Sequence, residues 1–171
     1  MSNSKLPITR LSKFFSEDDF FLQIKLGQEY LHGDINMKFV LYRVDREKTD
    51  TNNIYGEAGK DDIKFFPPVE FNGIVKIDDP KNVSYKGGIM RYQEAGNVII
   101  SVYISHLEEL GIDIRYGDYI GYADKEDKLR YYQVTNDGRI TSDGKHKMFG
   151  YKPHYRTITC AIVQENEFRG I

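Results

Sequence analysis

Gly117-Asp118-Tyr119-Ile120-Gly121-Tyr122-Ala123, a charged turn from Asp124 to Lys128, Leu129-Arg130-Tyr131-Tyr132-Gln133-Val134 and then Asn136-Asp137-Gly138 form the stretch that decides the fold class. Two short runs of β-branched and aromatic residues are separated and closed by turn chemistry, the pattern of an antiparallel hairpin and too short for packed helices. The same pattern extends outward in both directions. Ile112, Ile114 and Tyr116 read as a further strand before it. His154 to Val163 alternates as a closing strand that contains Cys160 in Thr157-Ile158-Thr159-Cys160-Ala161-Ile162-Val163.

Upstream, Met37, Phe39, Val40, Leu41, Tyr42 and Val44 form a strand. Phe65-Phe66-Pro67-Pro68 leads into an extended run through Val69, Phe71, Ile74, Val75 and Ile77. Lys86-Gly87-Gly88 and Ala95-Gly96-Asn97 are turns around Ile89 to Tyr92, and Val98 to Ile104 is another strand. Helical signals are few. Ser16 before Glu17, Asp18 and Asp19 is an N-cap with acids in the first turn, and Phe20, Phe21, Ile24, Tyr30 and Leu31 can form an apolar stripe on a helix over about 17–31. That helix packs on a sheet or docks on a neighbouring subunit. Ser105 can cap one short helix through Leu110, which Gly111 stops. The expected architecture is mainly β, a small β-barrel or sandwich of six to eight strands with an N-terminal helix, one short helix and two long loops. Residues 1–35 form an arm and helix, 36–163 the β domain, and 164–171 a tail.

A chain of 171 residues suits one such domain. Lys and Arg number 24 against 26 Asp and Glu, a net charge of −2, which excludes a histone-like or polybasic mode of holding DNA. The 40% apolar content excludes global disorder. A single Cys excludes an intramolecular disulfide and a Cys-based zinc cluster, and the simple expectation is a reducing compartment. Nothing approaches the roughly 18 apolar residues of a membrane span, so no membrane is expected.

Sites are sparse in the sequence. His32, His106, His146 and His154 show no metal-ligand spacing, and GxSxG, Walker A and GxGxxG patterns are absent, so no catalytic residue, cofactor or metal is assigned. The acids at Asp61-Asp62, Asp78-Asp79, Glu108-Glu109 and Asp118 read as solvated, and Cys160 as a small core residue. One polar segment stands apart. Arg139, Lys145, Lys147, Lys152 and Arg156 with Phe149, Tyr151 and Tyr155 can present a basic, aromatic face to a nucleic acid in an OB-like barrel. The plainer reading of the same segment is a solvated hairpin or a loop that docks on an acidic partner. The 43–64 segment is the other long loop, functional or mobile.

Gly111-Ile112-Asp113-Ile114-Arg115-Tyr116-Gly117-Asp118-Tyr119-Ile120 with Leu129 to Val134 resembles the head-to-tail connection proteins of tailed bacteriophages. Ile54-Tyr55-Gly56-Glu57-Ala58, Phe65-Phe66-Pro67-Pro68-Val69-Glu70 and His154-Tyr155-Arg156-Thr157-Ile158 are similar to neck or head-completion proteins of contractile-tailed phages. The resemblance covers roughly 37–163. It implies a non-enzymatic virion protein, assembled in the host cytoplasm into a homo-oligomeric ring of six or twelve copies below the portal. The ring would join portal and tail proteins and line the passage of double-stranded DNA without reading its sequence. Subunit contacts are then expected at Tyr55, Glu57, Lys60 and Phe65, and lumen or ring contacts at Arg139, Lys145, Lys147 and Lys152. The alternatives are a small single-stranded nucleic-acid-binding barrel and another virion part, such as a tail-completion or baseplate subunit.

Overall fold

The computed structural model describes residues 16–49, 63–77, 81–84, 91–94, 97–123, 128–140 and 152–163. Ser16 opens the first helix by a reciprocal exchange: its hydroxyl accepts the Asp19 N–H at 3.3 Å, and the Asp19 carboxylate accepts the Ser16 N–H at 2.8 Å. The carboxylate also accepts the Ser16 hydroxyl at 2.7 Å, and the hydroxyl and backbone N–H of Ser16 together hold the Asp19 carboxyl below its ordinary range. The helix, α1 (Glu17–Tyr30), buries Phe20 and Ile24, with Leu31 buried just beyond it, but leaves Phe21 and Tyr30 more than half exposed. At about 100° per residue the three buried side chains share one narrow arc and the other two lie outside it. A π-helical turn, Leu31–Ile35, follows and ends at Asn36 in left-handed backbone, whose N–H closes onto the Leu31 carbonyl at 2.9 Å.

The chain then builds one seven-stranded antiparallel sheet from β1 (Lys38–Tyr42), β2 (Val69–Asn72), β3 (Ile74–Ile77), β6 (Val98–Tyr103), β7 (Tyr119–Ala123), β8 (Leu129–Asn136) and β9 (Tyr155–Ile162). The order is β2-β1-β7-β8-β9-β6-β3, and β4 (Lys81–Ser84) pairs with β5 (Arg91–Glu94) as a separate two-stranded unit. The mainly β class with two helices matches the expectation. The barrel does not close, because the edge strands β2 and β3 do not pair with each other.

Those edges are nevertheless consecutive in the chain. The run expected as one strand from Val69 to Ile77 breaks at Gly73, where pairing passes from β1 (Asn72 opposite Lys38) to β6 (Ile74 opposite Ser101). Gly73 is squeezed between the two: a Cβ there would sit 3.1 Å from Ile100 Cγ2, 3.2 Å from the Ser101 carbonyl oxygen and 3.3 Å from the Phe39 ring. A residue without a side chain lets the sheet curl until a single stretch supplies both of its edges.

Alternation fills the concave side. Val98, Ile100 and Val102 of β6 and Ile158 and Cys160 of β9 meet Phe39, Leu41, Phe71, Ile120 and Val134, all buried in one cluster. Each such side chain contributes about 1.5–3 kcal/mol of hydrophobic stabilisation. Burial pushes the Cys160 thiol up to about 12, so the thiolate does not form near neutrality. Ile114 is also fully buried, but 112–118 is a loop rather than the strand expected from Ile112, Ile114 and Tyr116. Side chains, and not a β-ladder, satisfy much of its backbone.

The short helix α2 (Ile104–Glu109) begins two residues earlier than the Ser105 cap implied, with Tyr103 at its N-cap. Ser105 Oγ instead accepts the Gln28 side-chain N–H from α1 at 2.8 Å. Gly111, at φ +64, ends the helix as expected: its N–H reaches the Glu108 carbonyl and the Ile112 N–H reaches that of Leu107. Among the described residues no helix is long and apolar enough to cross a membrane.

His106, buried on α2, accepts the Asn72 N–H at Nε2 (3.1 Å) and stacks edge-on against His32 at 4.7 Å. Accepting at Nε2 requires the neutral ring. Burial and the neighbouring His32 lower its proton affinity below the ordinary imidazole value, against the opposing charge of Glu109. The unfolded chain therefore binds a proton that the folded chain refuses. This part of the stability is complete above about pH 6.5 and falls as the pH drops from there towards the folded-state pKa. Urea unfolding followed from pH 7.5 downward is expected to show this loss, and His106→Gln to reduce its slope. An identical slope in the variant would show that another group carries it.

Candidate functional site: an arginine-rich cleft beside the 112–118 loop

The two described ends of the 43–64 segment are tied together. Val44 bridges Phe65, the Phe66 N–H reaches the Arg43 carbonyl (2.9 Å), and the Asp45 N–H reaches the Lys64 carbonyl (2.8 Å). Asp45 then organises a tight turn, accepting the N–H groups of Glu47 and Lys48 at 3.2 and 3.3 Å and pairing with the Lys48 ammonium at 3.3 Å. Burial pushes its carboxyl up, but these bonds outweigh it and hold the group below its ordinary range.

Asp118 joins this turn to the rest of the sheet. Gly117, at φ +87, sets a bend in which one Asp118 oxygen accepts the Arg115 N–H at 2.8 Å and the other the Val44 N–H at 3.1 Å. Asp118, expected among the solvated acids, is instead 2% exposed because its carboxylate serves these two backbone N–H groups, and Ile120 and Val134 are buried from neighbouring strands. Burial raises the Asp118 carboxyl above its ordinary value, opposed by the two N–H groups and by Arg43 and Arg46.

Between turn and loop lies a cleft of about 180 Å³ lined by Arg43, Arg46, Phe66 and Arg115 above the buried Asp45 and Asp118. The Arg43 guanidinium stacks over the Phe66 ring at 5.3 Å, and Arg46 donates to the Tyr116 carbonyl at 2.9 Å. On the far side of the loop Asp113 gathers three arginines: Arg115 Nε at 3.2 Å, Arg156 Nη1 at 3.1 Å, and Arg139. Burial raises its carboxyl, but the three guanidiniums prevail and hold it at about 2.

The residues expected at a site are placed as follows. Arg139 pairs with Asp113 and Asp137, fastening the 137–140 turn to the loop, and Lys152 Nζ lies 3.9 Å from Glu17 on α1. Phe65 is half-buried and packs edge-on against Tyr42 and Tyr119 at 6.5 and 5.9 Å. Lys145, Lys147, Tyr55, Glu57 and Lys60 lie outside the described residues. Arg43, Arg46 and Arg115 escaped the sequence reading because they come from two loops some 70 positions apart. Only the Gly117-Asp118 bend that joins those loops left a mark in the sequence.

Among the described residues no group of three or more His, Cys, Asp and Glu is placed to hold a metal ion. Searches against protein families, curated proteins and solved structures find no match to this chain.

Proposed function

We propose that this chain is a structural subunit of a homo-oligomeric ring in the neck of a tailed phage particle, joining the portal of the DNA-filled head to the tail. The observation that carries the reading, beside the resemblance of its segments, is the outer face of α1. Leu22 and Leu26 are 55% exposed and Tyr30 57%, at a spacing of four residues. They form a second apolar stripe opposite the face that packs on the fold. A helix with two apolar faces suits a subunit that covers one of them with a neighbour, and a ring needs such a patch to meet a different one on the next copy. Tyr55, Glu57, Lys60 and Phe65 remain the proposed subunit contacts. Arg139, Lys145, Lys147 and Lys152 remain the proposed lumen or ring contacts.

Leu22→Asp with Leu26→Asp tests this. Both side chains are exposed, so the variant is expected to unfold within about 2 °C of the parent chain, while its incorporation into particles falls at least tenfold. A variant that folds and incorporates at parental levels would remove α1 as the contact and with it the main structural support for the ring.

A second reading, a nucleic-acid-binding β domain, is favoured by the exposed Phe66 ring in the lining of the arginine cleft. It predicts binding by the free monomer, which a ring component does not require.

A further inference from the structure

We propose that the cleft formed by Arg43, Arg46 and Arg115 is a binding site for a phosphoryl oxyanion, either a free phosphate group or a phosphate of a nucleic-acid backbone. The inference does not depend on the ring.

Charge alone does not decide it, since Asp45, Glu47 and Asp118 also line the cleft and balance the three arginines. Position decides it. Asp118 is 2% exposed and Asp45 4%, and their carboxylates are engaged by the backbone N–H groups of Val44, Arg115, Glu47 and Lys48. Of the three acids only Glu47 is exposed. The guanidiniums are spent differently. Arg46 gives one N–H to the Tyr116 carbonyl, Arg115 gives its Nε–H to Asp113, and Arg43 lies over the Phe66 ring. Each guanidinium carries five N–H donors, so among the described residues most of these donors are unused. The acids lie beneath the arginines, and the open donors lie at a small cleft.

The size of the cleft sets the class of ligand. At about 180 Å³ it is below the roughly 300–1,000 Å³ of pockets that enclose a whole small molecule. It therefore takes a single group with the remainder outside, beside the exposed Phe66 ring. A carboxylate offers two oxygens and is satisfied by one guanidinium fork. A tetrahedral phosphoryl group offers oxygens in several directions and suits three forks drawn from two segments.

The test is calorimetric titration of the full chain with inorganic phosphate and, separately, with a twelve-nucleotide oligothymidine at about 50 mM and about 200 mM salt. Saturable binding of phosphate is expected, weakened at least tenfold in Arg43→Gln/Arg46→Gln. Arg115 is left intact because it also anchors Asp113. A control with Lys25→Gln/Lys38→Gln removes the same charge elsewhere and is expected to bind like the parent, with thermal unfolding confirming that every variant is folded. Oligothymidine binding that phosphate displaces identifies the backbone as the source, and phosphate binding without oligothymidine binding identifies a free phosphate group. No saturable phosphate binding by the parent chain, no effect of the arginine pair, or an equal loss in the lysine control would overturn the assignment.

Discussion

Replacing Arg156 with Met is expected to lower the unfolding free energy by about 3 kcal/mol, near the lower end for removing one partner of a buried ion pair because Asp113 keeps some contact with solvent. Arg156 occupies a core-facing position on β9 and is only 7% exposed. Its Nε donates to the Asp137 carbonyl at 2.9 Å. Nη2 donates to the same carbonyl at 2.8 Å and to that of Ile114 at 2.7 Å, while Nη1 holds Asp113 at 3.1 Å. One side chain thus satisfies two loops that lack ladder partners at these positions. Met restores the volume but leaves the two carbonyls and one carboxylate oxygen without this donor. Thermal unfolding should fall by about 6–12 °C at this chain length. Arg156→Lys should recover only part of it, since one ammonium cannot span the same acceptors. A shift in the Met variant below about 2 °C would show that the loops are held by other contacts.

Gly138→Ala should cost about 3 kcal/mol or more, combining backbone strain with overpacking. Gly138 sits at φ +71 after Asn136, whose side chain accepts its N–H at 2.9 Å, and a Cβ would run into the Thr157 carbonyl of β9, with the carbonyl carbon 2.8 Å away. The obstacle is backbone in an inner strand, which cannot step aside as a flexible side chain could. Gly117 supplies the comparison: its φ of +87 is equally unfavourable for Ala, but no atom lies within 4 Å of the added Cβ. Gly117→Ala should therefore cost only the conformational strain, about 1–2 kcal/mol. Chemical denaturation of both variants reads the difference directly. Equal losses would mean that the Thr157 collision is relieved by movement of the 137–140 turn.

What the sequence disclosed follows from how local the causes are. The Ser16 cap, the Gly111 stop, the Gly117-Asp118 bend and the Gly138 turn each depend on a few neighbouring residues, and each was readable. The alternation in 98–103 and 155–162 likewise reports burial on one face. The break at Gly73 was not readable, because it arises from Phe39 and Ile100, which lie far away in the chain. The loop at 112–118 looks like a strand because Ile112 and Ile114 pack on the core, yet Arg156, more than 40 residues later, takes the hydrogen bonding that a ladder would have used. The arginine cleft is hidden for the same reason. It exists only where the 43–47 turn and the 112–118 loop are fastened by Asp118.

The proposed role in a phage neck is tested most directly by counting the chain in purified, nuclease-treated, DNA-filled particles, by quantitative mass spectrometry against the portal protein. A ring subunit predicts a fixed six or twelve copies per particle, retained when the DNA is released. Absence from finished particles would contradict the structural role and leave nucleic-acid binding as the better account of this fold.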